Sequence, residues 1–237
     1  MIATKSSLTD LVSEADHASE RLIVERIRRA RPADALVAEE GSMTEGTSDV
    51  RWLIDPLDGT INYLYGIPHW AVTICCADAD GALAGVVFDP LRDELFAATR
   101  GGGATCGESR LRVSDRRELA TALVATGFAY VAESRARQGR ITGEIVARVR
   151  DIRRAGSASL DLAWVAAGRL DAYFEYVEKP WDWMAGALLV REAGGRVTDR
   201  PPLDPARPNI VASAPAIHDA LNRLLAEAVQ KAKNSID

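Results

Sequence analysis

Cysteine and histidine are scarce in this sequence of 237 residues, which contains three of each. The cysteines form no C-x-x-C motif, so the usual signature of a structural zinc or redox site is missing. Cys75 and Cys76 are adjacent in an apolar segment, where successive side chains of a strand point to opposite faces. We therefore expect no disulfide between them. This use of cysteine is typical of a reducing compartment, and the sequence predicts a cytoplasmic protein.

Long hydrophobic runs and an excess of positive charge are also missing. No stretch reaches the roughly 18 apolar residues that a membrane-spanning helix needs, and the segment 1–16 lacks the apolar centre of a signal peptide. The formal net charge is −5, and the basic stretches 26–32 and 148–154 are short and interrupted. The sequence therefore predicts a soluble protein that binds neither membranes nor nucleic acid.

What is present is the composition of an ordinary globular protein, with 47% hydrophobic and 27% charged residues. The length suffices for one large domain or for two closely joined halves, and we expect a single domain over 1–237. Strands close enough to form hairpins in the first half, and alternating helices and strands in the second, predict layers of sheets and helices in an α/β (α+β) fold. The predicted helices are 16–30, 133–149, 157–167, 182–193 and 216–232. The predicted strands are 51–55, 69–77, 83–89, 94–99, 121–126, 170–175 and 209–214, and the Gly-rich stretch 100–111 is predicted to be a turn region.

Carboxylates occur at three breaks in this pattern. Glu39 and Glu40 lie in "VAEEGS", Asp55 and Asp58 in "DPLDGT", and Asp182 in "KPWDW". If these groups converge in one pocket, their repulsion must be relieved by cations or by protons. Oxygen ligands without histidine or cysteine favour Mg²⁺ or Mn²⁺ over zinc. The alternative is that these acids are separate surface charges and helix caps.

The segment "WLIDPLDGTINYLYG" (52–66) has further features of a site. Pro56 cannot donate to a sheet, so we expect the strand to end there and the chain to turn. Such a turn can bring Asp55 and Asp58 to one side. Gly59 permits a close approach of the backbone to a ligand, and the amide groups after it could bind an anion.

The string "WLIDPLDGTINY" (52–63) resembles the signature of the inositol monophosphatase family. Further segments resemble that family in the same order along the chain, so the resemblance covers nearly all of it. These are "LTDLVSEAD" (8–16), "AEEGS" (38–42), "AGSASLDLAWVAAGRLDAYFE" (155–175) and "WDWMAGALLVREAGG" (181–195).

The resemblance implies a layered α-β-α-β-α sandwich and Mg²⁺-dependent hydrolysis of a phosphate monoester, with two or three ions and Mn²⁺ as a possible substitute. It assigns metal binding to Glu39, Asp55, the Leu57 carbonyl, Asp58 and Asp182. Asp55 would bridge two of the ions.

The same resemblance implies the remaining roles. Asp16, Glu39 and Thr60 would orient the attacking water, and the backbone of Gly59 and Thr60 would cradle the phosphate. Contacts to the rest of the substrate would come from Gly156, Ser157, Ala158, Glu175 and Asp182. Glu40, the histidines (His17, His69, His218) and the tryptophans Trp52, Trp181 and Trp183 are expected to support the structure and to take no part in catalysis.

Several phosphate esters agree with this pattern. A myo-inositol monophosphate is favoured because Glu175 could accept hydrogen bonds from its hydroxyls. Histidinol phosphate stays an alternative because its amine could pair with Glu175, whereas a second phosphate, as in fructose 1,6-bisphosphate or 3′-phosphoadenosine 5′-phosphate, should be repelled. A regulatory binding module without catalysis is an alternative of a different class. A homodimer and lithium sensitivity are implied by the resemblance alone.

Four departures from the family pattern also give expectations. The first N-terminal helix of the family is expected to be missing here. Ala38 stands where glycine is common, and Ser157 stands where threonine is common, which is a mild change. Met184 stands where a small residue is usual, and its larger side chain could alter the helix packing behind Asp182.

Overall fold

The computed structural model describes residues 2–4, 11–177, 179–199 and 208–234, and the helices in these ranges lie close to their predicted positions. Short 3₁₀ turns lie at Leu119–Thr121 and Pro215–Ile217, and the second of them directly precedes the last helix. The helices are α1 (Glu14–Ala30), α2 (Thr60–Leu64), α3 (Ala132–Val146), α4 (Ala158–Ala166), α5 (Pro180–Glu192) and α6 (His218–Asn234).

The strands form two large sheets and a small ribbon. The ribbon pairs β1 (Ile2–Thr4) with β2 (Leu11–Ser13). The first large sheet has the order β10-β9-β8-β7-β6-β5-β3-β4 and is antiparallel except for the pair β3–β5. Its strands are β3 (Ala35–Ala38), β4 (Met43–Thr44), β5 (Arg51–Asp58), β6 (Ala71–Asp78), β7 (Gly81–Asp89), β8 (Glu94–Thr99), β9 (Gly103–Cys106) and β10 (Ser109–Arg110).

The second large sheet is mixed and has the order β12-β11-β13-β15-β14. Strand β11 is parallel to both of its neighbours, while β15 is antiparallel to both of its own. The strands are β11 (Leu123–Thr126), β12 (Asp151–Arg153), β13 (Ala172–Glu175), β14 (Arg196–Asp199) and β15 (Ile210–Ser213).

Apolar packing orders these elements into five layers. Val24 of α1 packs on Leu36 and Ile54 of the first sheet. The central helices α4 and α5 pack between the two sheets, and α3 and α6 cover the outer face of the second sheet. The sequence α1, first sheet, α4 and α5, second sheet, α3 and α6 confirms the predicted α-β-α-β-α arrangement.

Two predictions about local structure were wrong. Strand β5 continues through Pro56 to Asp58, with a register shift against β6 between Asp55 and Asp58. A bulge tolerates proline because its backbone nitrogen is not needed in the ladder. The stretch 100–111 is also more than a turn region, because β9 and β10 form a short hairpin within it. Among the described residues, no helix is both long and apolar enough to cross a membrane.

Candidate metal and phosphate site

Three carboxylates from distant segments converge in the structure. Glu39 follows β3, Asp55 lies in β5, and Asp182 lies in the first turn of α5. Each offers an oxygen, and these oxygens lie within 4.8 Å of one another. We call these residues the carboxylate cluster. Burial raises the pKa of Asp55 well above its usual value, and the charges of Glu39, Asp58 and Asp182 raise it further. A divalent cation would relieve this repulsion, and an all-oxygen donor set fits Mg²⁺.

The bulge in β5 shapes the backbone beside the cluster. The backbone amide of Leu57 donates to Asp55 Oδ1 over 2.9 Å, which closes a tight turn around Pro56. The hydroxyl of Thr60 lies 3.1 Å from the Leu57 carbonyl oxygen. Both contacts hold the Leu57 carbonyl at the wall of the same cleft that the cluster lines.

Asp58 lines the cleft but is not a member of the carboxylate cluster. Its Oδ2 accepts hydrogen bonds from the hydroxyl of Ser157 over 2.6 Å and from the amide of Ser159 over 2.7 Å, and also from the Ser159 hydroxyl. Burial raises the pKa of Asp58, and these hydrogen bonds lower it in part. Asp58 therefore joins β5 to the start of α4, and only its other oxygen is left for a metal.

Asp16 and Thr60 meet as the resemblance implies. The Thr60 hydroxyl lies 3.0 Å from Asp16 Oδ1, and both side chains are buried. Asp16 Oδ2 accepts from the amide and the hydroxyl of Ser13, which closes a capping box at the start of α1. Asp16 is thus both part of a helix cap and a partner of Thr60.

Helix α1 also supports the site through residues that the sequence analysis missed. Glu20 accepts hydrogen bonds from the backbone amides of Glu40 and Ser42 over 2.7 and 3.1 Å, which fixes the loop 38–42 that contains Glu39. Ser19 donates to the Pro56 carbonyl over 3.0 Å. The sequence did contain a pattern that indicates a buried Glu20. Asp16, Glu20 and Val24 follow one another at intervals of four residues and so share one face of the helix.

The carboxylate cluster lines a cleft with a volume of about 130 Å³. The residues predicted to contact the substrate, Gly156, Ser157, Ala158 and Glu175, all line it. Gly59 and Thr60, whose backbone is predicted to bind the phosphate, also line it. Gly59 has a φ of 98°, a left-handed conformation that favours glycine. The structure therefore brings the predicted site residues into one cleft, except Asp16, which is fully buried and contacts the lining residue Thr60.

Glu175 is partly buried in this cleft. Tyr173 donates to its Oε2 over 2.7 Å. Burial raises the pKa of Glu175 to about 7, while Tyr173 and the charge of Arg154 act in the opposite direction. Gly127 makes room for this carboxylate, because a Cβ on Gly127 would lie 2.0 Å from Glu175 Oε1.

The sequence analysis also did not identify Asn62, which supports the cleft, or the lining residues Asp161 and Arg154. Asn62 donates to the carbonyls of His69 and Ala155 over 2.6 and 2.8 Å, and so ties the loop after α2 to the loop before α4. Asp161 and Arg154 line the cavity beside Glu175. Asn62 and Asp161 lie within segments that resemble the family, and Arg154 lies next to one. Their neighbours in the sequence do not show which groups they contact in the fold.

The residues expected to take no part in catalysis lie outside the cleft. None of the three histidines and none of the tryptophans is among the residues that line it. Trp52 donates to Asp34 over 2.9 Å, and His218 lies 2.9 Å from the hydroxyl of Ser213. Met184 packs against the central core and lines a separate groove beside Pro180, so it does not contact the cleft that Asp182 faces.

Comparison with known proteins identifies the family of this chain. The sequence model of the inositol monophosphatase family matches residues 2–234. Nus factor SuhB of Escherichia coli strain K12 is 46% identical over 199 residues, which cover 83% of this chain and 74% of that protein.

Two solved structures give the same result for the fold. The extragenic suppressor protein suhB from Bartonella henselae superposes with a TM-score of 0.87 and 39% identity, over 95% of this chain and 88% of that one. The staphylococcal SaIMPase-II, solved with inositol monophosphate bound, superposes with a TM-score of 0.78 and 28% identity, over 94% and 87% of the two chains. This protein therefore belongs to the inositol monophosphatase family.

Proposed function

We propose that this protein is a Mg²⁺-dependent phosphatase that hydrolyses a small phosphate monoester, with a myo-inositol monophosphate as the preferred substrate. The observation that carries the proposal is that the carboxylate cluster lines the same cleft as Gly156, Ser157 and Glu175. One cleft therefore offers groups for the metal and the phosphate together with groups for the alcohol part.

The metal ligands follow from the side chains that face the cleft. Glu39, Asp55, Asp182 and the Leu57 carbonyl would hold the metal, and Asp58 would contribute its oxygen that Ser157 and Ser159 leave free. The number of ions, two or three, is part of the proposal. When bound, Mg²⁺ lowers the pKa of water and stabilises the negative charge that develops during phosphoryl transfer.

The protein itself positions the reactants. Thr60 directs its hydroxyl proton toward Asp16 or the Leu57 carbonyl, so its oxygen lone pairs are free to accept a hydrogen bond from the attacking water. Asp16, or the carboxylate of Glu39, would take the proton from that water. The backbone of Gly59 and Thr60 would hold the phosphate in line with the attack, and such positioning is the main contribution of proteins to phosphoryl transfer.

The choice among esters rests on Glu175. A buried carboxyl accepts hydrogen bonds from the hydroxyls of a polyol, and it also donates one when it carries its proton. Histidinol phosphate is the first alternative because its amine could pair with Glu175. Esters with a second phosphate, such as fructose 1,6-bisphosphate and 3′-phosphoadenosine 5′-phosphate, rank below both.

Phosphate release from a panel of these four esters, with Mg²⁺ and with EDTA, tests the proposal. We expect Mg²⁺-dependent release, fastest from the inositol ester and inhibited by Li⁺. If no ester is hydrolysed in Mg²⁺ or Mn²⁺, the proposed catalytic function is wrong.

A second candidate function comes from the name Nus factor SuhB, which relatives 46% identical to this chain carry. That name supports a regulatory binding role as the alternative to catalysis. The expectation that this protein binds no nucleic acid stays untested. Complementation of an E. coli strain that lacks its Nus factor SuhB separates the two. If wild type and Asp55→Asn both complement, the regulatory role does not need the carboxylate cluster.

We further propose that the protein is a cytoplasmic homodimer. The three cysteines are free, which suits a reducing compartment. Light scattering of the purified protein at two concentrations measures the mass directly, and a monomer at both would overturn the dimer.

A further inference from the structure

The cleft that the carboxylate cluster lines also contains a basic group beside two further acids. Arg154, Asp161 and Glu175 all line it. The charge of Arg154 acts on both carboxyls, since it lowers the pKa of each of them. Arg154 is therefore close enough to interact with a ligand in this cleft.

Arg154 makes no hydrogen bond and no ion pair with the residues that the structure describes. This distinguishes it from its neighbour Arg153, which lies 2.6 Å from Asp151 in an exposed ion pair. Gly156 leaves space for the guanidinium at the cavity wall, because a Cβ on Gly156 would lie 2.8 Å from Arg154 Nη1. The donors of Arg154 are therefore available to a ligand.

Asp161 offers the complementary group. The residue is 2% exposed, and its Oδ1 has no hydrogen-bond partner. A buried carboxyl oxygen without a partner costs free energy, so its retention beside a cavity calls for a ligand or a water that donates to it.

We propose that Arg154 is a specificity-determining residue that, with Asp161 and Glu175, selects an uncharged polyol as the alcohol part of the substrate. A hydroxyl both donates and accepts, so it can satisfy a carboxyl and a guanidinium at the same time. An ammonium group can only donate, and the fixed positive charge of Arg154 repels it. Arg154 thus favours inositol monophosphate over histidinol phosphate. This inference rests on the proposed phosphatase function.

The test compares Arg154→Gln and Arg154→Glu with wild type, and uses Arg153→Gln as the matched control. Both substrates, myo-inositol 1-phosphate and histidinol phosphate, are assayed with Mg²⁺ for kcat and KM. For Arg154→Gln we expect KM for the inositol ester to rise about tenfold, the loss typical of a hydrogen bond from a charged donor, with kcat changed by less than about twofold.

Reversing the charge should act on selectivity. In Arg154→Glu the ratio of kcat/KM for histidinol phosphate to that for the inositol ester should rise about 100-fold, because repulsion of the amine becomes attraction. Arg153→Gln should leave both the KM values and this ratio unchanged. An altered fold would change kcat for both esters in parallel and would not move the ratio.

The outcomes separate this inference from the function on which it rests. If wild type hydrolyses the inositol ester and Arg154→Gln and Arg154→Glu keep its KM and its selectivity, the role of Arg154 is wrong and the phosphatase stands. If wild type hydrolyses neither ester, the phosphatase is wrong, and calorimetric binding of myo-inositol 1-phosphate to wild type and Arg154→Gln decides whether Arg154 binds the polyol. Equal affinities there would overturn it.

Discussion

At the scale of single residues, the site is a set of carboxyls with different surroundings. Asp55 is buried among other acids, which raises its pKa, whereas Asp34 accepts from Trp52, Arg31 and Ser48 and its pKa falls to about 2. Burial raises the pKa of Glu175 to about 7. The neighbours of each carboxyl therefore decide whether it suits metal binding, structural support or contact with a substrate.

Asp55→Asn tests the metal site. Removing the central carboxylate of the cluster should lower Mg²⁺-dependent phosphate release at least about 100-fold, since metal stabilisation contributes several kcal/mol. In EDTA the variant should unfold at the same or a higher temperature than wild type, because a buried and repelled carboxyl is gone. Asp151→Asn, at an exposed position outside the cleft, is the control. Unchanged turnover in Asp55→Asn would contradict the assignment.

Glu175→Gln tests the buried carboxyl through the pH dependence of stability. The folded state holds this proton more tightly than the unfolded chain, whose carboxyl has a pKa near 4.5. The stability that results is complete below that value and is lost as the pH rises through 7. Glutamine cannot ionise, so the variant should gain about 2–3 kcal/mol relative to wild type between pH 5 and pH 8.

Urea unfolding in EDTA at both pH values measures this difference. Glu25→Gln, at an exposed position of α1, serves as control because solvent already screens that carboxyl. The same relative stability of Glu175→Gln and wild type at pH 5 and pH 8 would refute the raised pKa.

At the scale of secondary-structure elements, glycines let the central layer form. Gly186 brings α5 against α4, and Gly85 brings β7 against Ala185 of α5. The two helices in turn hold Asp182 and the Ser157–Asp58 contact at the cleft. A small shift between these helices would therefore reach the site.

Gly186→Ala should separate α4 from α5. Its new Cβ would lie 2.5 Å from Leu162 Cβ, and such overpacking costs about 1–3 kcal/mol. Gly139→Ala in α3 is the matched control, because it meets no atom within 4 Å and should instead gain about 0.5–1 kcal/mol. Urea unfolding of both variants measures the sign of each change in the free energy of unfolding. A stable Gly186→Ala would show that the two helices are not in close contact.

At the scale of the whole molecule, the site joins the layers. Asp55 belongs to the first sheet and Glu39 directly follows its strand β3, while Asp182 belongs to the central helices and Glu175 to the second sheet. The cleft therefore exists only when these layers have assembled. A metal that binds the assembled cluster and not the unfolded chain must stabilise the whole fold.

Mg²⁺ should accordingly raise the melting temperature. At 100 times its dissociation constant a bound ion adds about 2.7 kcal/mol, which corresponds to a rise of about 5–10 °C for a chain of this size. The measurement is thermal unfolding of wild type and Asp55→Asn in MgCl₂ and in NaCl of equal ionic strength. An equal rise in both proteins would indicate a general salt effect and would contradict a site at Asp55.

The sequence by itself determined the elements and the kind of chemistry. Periodicity placed helices such as α5, and the ordered motifs around Asp55 and Asp182 identified the family, because residue type and spacing along the chain are local properties. The strand through Pro56 escaped prediction, because whether a proline ends a strand depends on the bulge that the neighbouring strand accepts.

Only the tertiary structure decided which side chains face each other. Asp58 accepts from Ser157 and Ser159, and Glu20 holds the loop of Glu40, although each pair is far apart in sequence. Arg154 resembles Arg153 in the sequence, yet it lines the cavity while Arg153 pairs with Asp151. Such partnerships arise when the layers pack, because burial and charge depend on what the fold brings together and not on neighbours along the chain.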